Sequence, residues 1–240
     1  MSRGFRKALL TAGFALASFS TPVLADVYSS AEEDGNKKGF YASLSYAITT
    51  PDDIEGNIDN DDWENVNAVF DTEGGGGIEV GLGYDFGNIR TDVTYSQTSY
   101  EVNSVSGTKG SNSMSATSIT GDKDADVSTL LFNAYWDFEN NSRFTPYVGG
   151  GIGTSQIEAA NFTATYNGQT ESFTAQERDS FVWKGALGLA YELSNNLNLF
   201  AEGNYTEISE FHSLGGSDTI HIEYDSVNAW GGTVGLRYTF

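Results

Sequence analysis

The sequence predicts an all-β protein, an eight-stranded antiparallel up-and-down β-barrel that crosses a membrane. Three observations predict it. Eight segments alternate apolar and polar residues with a period of two. The connections between them alternate strictly between short and long. Aromatic residues gather towards segment ends, as the two interfaces of a bilayer favour.

The composition agrees. The chain has 240 residues, 39% hydrophobic and 13% aromatic, with 28 Gly and no Cys. Few apolar but many aromatic residues, with abundant Gly, suit strands rather than helices. The lack of Cys excludes a disulfide scaffold, a thiolate metal site, a Cys nucleophile and a lipoprotein anchor. A formal net charge of −21 argues against nucleic-acid binding, which needs a basic footprint.

Residues 1–25 differ in character from the rest of the chain. Arg3, Arg6 and Lys7 lead into an apolar run from Ala8 to Phe19, then Pro22 and Val23-Leu24-Ala25. This is the pattern of a secretory signal peptide, with cleavage expected between Ala25 and Asp26. The run is too short and too broken to span a bilayer as a helix. Losing the three cations takes the formal charge from −21 to −24. Residues 26–38 read as a short periplasmic segment, and residues 39–240 as the barrel.

The eight segments come in this order. Phe40, Leu44, Tyr46 and Ile48 alternate with Tyr41, Ser43 and Ser45. Ile78 to Phe86 and Ile89 to Tyr95 form the second and third, separated by Gly87-Asn88. Leu130 to Phe138 and Val148 to Ile152 are the fourth and fifth. Phe181 to Leu193, Leu197 to Tyr205 and Val234 to Phe240 complete the set. The number is even and the lengths suit tilted membrane strands. A soluble sandwich would bury the apolar face, whereas a membrane barrel turns it to lipid. The connections favour the barrel. Gly87-Asn88, Glu139–Phe144 and Ser194–Asn196 are short, while 50–73, 103–124, 159–179 and 207–225 are long. Short periplasmic turns and long external loops are the expected sorting.

Two stretches carry a resemblance. One is Leu130-Leu131-Phe132-Asn133-Ala134-Tyr135-Trp136-Asp137-Phe138 with Thr145-Pro146-Tyr147-Val148-Gly149-Gly150. The other is Val234-Gly235-Leu236-Arg237-Tyr238-Thr239-Phe240. The chain resembles the small eight-stranded outer-membrane β-barrels of Gram-negative bacteria, the OmpA-type transmembrane domain and its opacity-protein-like "porin family" relatives. The resemblance covers about residues 39–240. It implies a location in the cell outer membrane, contact with outer-membrane lipid, and engagement of the outer-membrane assembly machinery through Leu236, Tyr238 and Phe240. The matching region runs to the last strand, so the peptidoglycan-binding domain of full-length OmpA is not expected. A wall-anchoring role is not carried over.

An eight-stranded barrel is just wide enough for side chains to fill it. Across the Gly87-Asn88 turn, Asp85 faces Arg90, and an ion pair is expected between them inside the lumen. Glu79, Asp92, Asp137, Lys184, Glu192, Glu202 and Arg237 are expected to point inward too, and to form a network. That network reads either as a plug or as a narrow gated ion path.

The first long connection carries Asp52, Asp53, Glu55, Asp59, Asp61, Asp62, Glu64, Asp71 and Glu73, with no Lys or Arg. The fourth carries Glu207, Glu210, Asp218, Glu223 and Asp225. Asp59–Glu64 offers oxygen ligands for Ca²⁺ but lacks EF-hand spacing, and a solvated acidic loop explains it as well. Phe162, Tyr166 and Phe173 in the third connection are candidates for adhesion. The two histidines, His212 and His221, lie near Ser213 and Glu223 but lack the His-x-Ser arrangement of the outer-membrane deacylase. No catalytic residue, cofactor or metal is expected. The residues leave two functional classes open. One is a surface protein serving envelope integrity or adhesion, with an extracellular ligand or cations at its acidic loops. The alternative is a narrow, weakly cation-selective channel.

Overall fold

The computed structural model describes residues 38–52, 54–59, 66–109, 112–115, 118–121, 124–158, 162–166, 169–173, 177–209, 211–214, 221–224 and 226–240. The expected signal peptide, its Ala25–Asp26 cleavage site and most of the 26–38 segment lie outside them, as do residues 60–65 of the acidic first connection.

The described secondary structure is all strand. In chain order come β1 (Gly39–Pro51), β2 (Ile54–Asp59), β3 (Val66–Thr72), β4 (Gly75–Asp85) and β5 (Ile89–Lys109). Then come β6 (Asn112–Ser115), β7 (Ser118–Gly121), β8 (Asp124–Asp137), β9 (Phe144–Glu158), β10 (Phe162–Tyr166) and β11 (Gln169–Phe173). The last are β12 (Glu177–Ser194), β13 (Leu197–Ile208), β14 (Phe211–Leu214), β15 (His221–Tyr224) and β16 (Val227–Thr239).

Eight of these strands close on one another. Each is antiparallel to both neighbours, in the order β1, β4, β5, β8, β9, β12, β13, β16 and back to β1. The eight alternating segments are these eight strands. Closure leaves the wall no free sheet edge, which a bilayer requires of a sheet. The seam is fastened at the chain end, where the Phe240 N–H donates to the Phe40 carbonyl at 2.9 Å.

The register fixes the barrel's dimensions. From Tyr41 the paired residues run through Gly83, Asp92, Asn133, Gly151, Lys184, Thr206 and Ala229, and return to β1 at Pro51. The circuit from 41 to 51 climbs 10 residues, which is the shear. Eight strands at that shear tilt by about 40° and enclose a backbone cylinder of radius about 8 Å.

Alternation then sorts the side chains. Leu44, Ile48, Leu82, Phe132, Ile152, Leu187 and Val234 are exposed on the outer wall. So much contiguous apolar surface belongs in hydrocarbon rather than water. Aromatic clusters bound it. At the short-turn end, Phe40 meets Tyr84 edge-on at 4.9 Å and Phe144 meets Tyr191 at 4.8 Å. At the other end, Tyr205 bridges Trp183 and Trp230 at 5.4 and 5.0 Å. From Trp230 on β16 to Phe240 just past its end the chain takes ten residue steps, a height of about 25 Å at this tilt, the thickness of an outer-membrane apolar band.

The connections differ from expectation. Strand pairing continues into all four regions read as long loops. β5 runs on to Lys109, and β3 pairs with its extension from Val66↔Lys109 to Thr72↔Val102. β10 and β11 pair as a hairpin, and β7 joins them. These extensions mix Ser, Thr, Asn and Val, such as Val102-Asn103-Ser104-Val105-Ser106. Such residues keep a backbone ladder without an apolar face, so period-two hydropathy fades while the strand goes on. The short turns are as expected. The Phe86 N–H and Ile89 carbonyl close the first at 2.9 Å, with Gly87 at φ 106°, where only Gly sits without strain.

Candidate functional site

The lumen is where the polar face of every wall strand converges. Arg90, Asp92, Asn133, Asp137, Lys184, Glu202 and Arg237 are all buried, and Glu79 is half-buried. Two of the expected positions depart. Glu192 is exposed, because β12 carries an irregularity between Glu192 and Ser194 that ends its regular pairing at the rim. Asp85 is half-buried and engaged elsewhere.

Asp85 and Arg90 are cross-strand partners, as the turn dictates. The expected ion pair between them does not form. The Asp85 carboxylate accepts the Gly87 N–H at 2.8 Å. Short acidic side chains favour such local capping of a tight turn. The Arg90 guanidinium instead grips Asp137 on β8, with Nε donating to Oδ2 at 2.6 Å and Nη2 to Oδ1 at 2.9 Å. A bidentate pair surpasses a single contact. Arg90 is also flanked by the rings of Tyr135 and Tyr147, at 4.7 and 4.9 Å from their centres.

A second cation is neutralised nearby. Lys184 Nζ donates to Glu202 Oε1 at 3.2 Å. Tyr147 donates its hydroxyl to the other oxygen of Glu202 at 3.3 Å. Asp92 is held from two sides, by the Tyr41 hydroxyl at 2.9 Å and the Asn133 amide at 2.8 Å. The same amide donates to Thr94 Oγ1 at 3.0 Å. Arg237 lies over the Tyr41 ring at 5.6 Å. Outside the membrane band, in the turn after β8, partial desolvation and the Asp137 carboxylate raise the Glu139 carboxyl above its usual range.

One arrangement recurs. Tyr41 on β1 faces Gly83 on β4, which faces Asp92 on β5. Tyr147 on β9 faces Gly188 on β12, which faces Glu202 on β13. In both rows a tyrosine crosses a glycine to bond a carboxylate two strands away. The glycine is obligatory. A Cβ at Gly83 would sit 2.5 Å from Tyr41 Cζ, and one at Gly188 would sit 2.1 Å from Tyr147 Cζ. Charge alone does not reveal these rows. Tyr41, Tyr135, Tyr147 and Asn133 are therefore lumen residues that a reading of charged positions passes over. A tyrosine in the polar register is the signal that marks them.

The tyrosines fill the space. Tyr135 and Tyr147 meet edge-on at 5.7 Å and pack with Ala190 and Phe200. Between Tyr41, Glu79, Arg90, Asp92, Glu202 and Arg237 lies a cavity of about 20 Å³. That is room for about one water molecule.

Leu236, Tyr238 and Phe240 are exposed on the outer wall of β16. β10 and β11 carry Phe162, Tyr166 and Phe173, and the histidines fall on β14 and β15.

The family comparison agrees with this architecture. The model of the outer membrane protein beta-barrel domain matches residues 11–240. The outer membrane protein PagN of Salmonella typhimurium is 24% identical over 119 residues, covering 48% of this chain and 50% of that protein. The match thus spans about half the length of that relative. An uncharacterized protein of Brucella abortus is 24% identical over 71% of this chain and 70% of its own length. Among solved structures, Neisserial surface protein A aligns with a TM-score of 0.46 and 18% identity, over 84% of this chain and 97% of that one. OprG from Pseudomonas aeruginosa aligns with a TM-score of 0.48 and 19% identity, over 87% and 99%.

Proposed function

The chain belongs to the family of outer membrane protein beta-barrel domains, and from that premise we propose that it is a surface-display protein rather than a channel or an enzyme. The filled lumen carries this reading. Two ion pairs and four aromatic rings crowd the lumen around a cavity of about 20 Å³, which favours a filled interior over a route for hydrated ions. The mass that projects beyond the aromatic band at the long-connection end is where interaction capacity is concentrated. It includes β2, β3, the end of β5, β14 and β15. Its acidic residues favour cations or basic partners over anionic ones. On this reading residues 1–25 direct export, and Leu236, Tyr238 and Phe240 present the last strand to the assembly machinery.

Planar-bilayer conductance tests it. The refolded protein, identified by heat-modifiable migration, is expected to show no discrete steps. The Tyr135→Ser/Tyr147→Ser double variant removes two rings from the constriction, and small steps are expected from it. Cation-selective steps from the unmodified protein would overturn the display reading and restore the narrow channel.

A further inference from the structure

The outer wall carries one marked recess. On β13 and β16 the outward positions pair, from the long-connection end downwards, as Glu207 with Asn228, Tyr205 with Trp230, Gly203 with Gly232, and Ala201 with Val234. Two glycines thus lie side by side in the apolar band, about 7 Å along the strands from the Tyr205–Trp230 ring pair. Their flanks are bulky. Leu187 on β12 stands opposite Gly203, Ile48 on β1 stands opposite Gly232, and both are exposed. The result is an open apolar groove of about 650 Å³ with the two glycines as its floor. The interior does not demand these glycines, unlike those at 83 and 188. A Cβ at Gly203 would meet nothing within 4 Å, and one at Gly232 only the Glu202 carbonyl at 3.8 Å.

Three features identify what covers it. The groove is continuous with the wall that faces lipid, so its surroundings are hydrocarbon. A second copy of the chain fits it badly, because a two-fold interface sets one surface against itself and would leave two hollows face to face. An acyl chain is narrow enough to lie between Leu187 and Ile48 and touch the bare backbone of both strands. The polar row above the ring pair then selects the head group. Glu207 stands beside Asn228, and the Asp52 N–H donates to the Asn228 carbonyl at 2.8 Å. The Tyr205 hydroxyl occupies the Asn228 side chain, donating to its Oδ1 at 2.9 Å. The row Trp183, Glu207, Asn228, Asp52 therefore carries two carboxylates and no cation. Such a row attracts an ammonium and repels a head group whose charge is purely negative.

We infer that this groove binds one membrane lipid, with an acyl chain laid over Gly203 and Gly232 and an ammonium-bearing head group beside Glu207 and Asp52. Hydrocarbon gains nothing by leaving hydrocarbon, so retention comes from the close contacts of the recess and from the head-group charge. The site rests on the outer wall alone and is independent of whether the lumen conducts.

The test is native mass spectrometry of the full refolded chain in detergent, titrated separately with phosphatidylethanolamine and phosphatidylglycerol of identical acyl chains. A single retained phosphatidylethanolamine is expected, several-fold more abundant than the phosphatidylglycerol adduct. Gly203→Leu/Gly232→Leu fills the groove from outside, where there is room for the new side chains, and should cut the adduct several-fold. Ala134→Leu, outward on β8, enlarges the wall away from the groove and should leave the adduct unchanged. Asp52→Asn/Glu207→Gln should bring the two lipids towards equal retention. Heat-modifiable migration confirms folding, and Gly203→Val replaces the double leucine variant should that fail to refold. No retained lipid would overturn the inference. So would equal retention by the groove-filled variant, or phosphatidylglycerol held as well as phosphatidylethanolamine by the unmodified protein.

Discussion

Asp137→Ala is the substitution that most sharply separates the observed lumen from the one a turn-based reading builds. The carboxylate makes both short contacts to Arg90, and the two side chains are 7% and 4% exposed. Removing one partner of a buried ion pair strands the other charge, at a cost of about 3–5 kcal/mol. The Tyr135 and Tyr147 faces stay beside the guanidinium and offset about 1–2 kcal/mol of that. A net loss of about 3 kcal/mol is expected. Asp85→Asn is the control. Its side-chain oxygen still accepts the Gly87 N–H, so the loss should stay below about 1 kcal/mol. Replacing the whole pair, as Arg90→Met/Asp137→Leu, should recover most of the Asp137→Ala loss, because apolar side chains of similar size replace buried pairs at little cost. The assay is reversible urea unfolding from lipid vesicles, followed by tryptophan fluorescence. If Asp85→Asn cost more than Asp137→Ala, the assignment of Arg90 to Asp137 would be refuted.

Two further outcomes concern the wall and the seam. Gly188→Ala should destabilise the barrel by about 2–3 kcal/mol, as expected of overpacking, since its Cβ meets the Tyr147 ring at 2.1 Å. Adding Tyr147→Ser should restore much of that loss, and urea unfolding of the single and double variants would show whether the effects are additive, which would deny the contact. Deleting Phe240 removes the amide that closes β16 onto the Phe40 carbonyl and an exposed outer-wall aromatic. Assembly into the outer membrane, scored by heat-modifiable protein in isolated envelopes, should fall several-fold, and an undiminished yield would deny the terminal residue a part in assembly.

The legible and illegible parts of this molecule divide along a physical line. Wall strands announce themselves because lipid on one face and protein on the other impose a strict period of two, as in Leu130 to Phe138. The outer extensions lie beyond the apolar band, so no lipid forces their hydropathy to alternate. The pairing of Val66–Thr72 with the end of β5 leaves no such trace. Lumen membership is legible for the same reason as the wall. Lumen partnership is not, because it depends on the stagger between strands. Asp85 and Arg90 are neighbours in sequence and in register, yet Asp137 lies 47 residues from Arg90 and wins by geometry.

The stagger also bears on why, on the surface-display reading, the interior would be filled by volume more than by charge. At a shear of 10 the row of paired residues that starts at Tyr41 winds up the barrel as a helix, through Asp92, Asn133 and Lys184. A cylinder of about 8 Å radius cannot hold a ring and a carboxylate on every strand at one height. Glycine at 83 and 151 in that row, and at 188 beside Tyr147, opens slots into which tyrosine and asparagine side chains lean. The Tyr41 and Tyr147 rings lean over glycines that have no side chain, and their hydroxyls reach Asp92 and Glu202. The ion pairs satisfy charges that the alternation has already placed inside. On the surface-display reading, the tyrosine–glycine rows would block the path whether or not those charges are present. Neutralising Arg90 and Asp137 would then loosen the lumen without opening it, since Tyr135, Tyr147 and Phe200 would still occupy it.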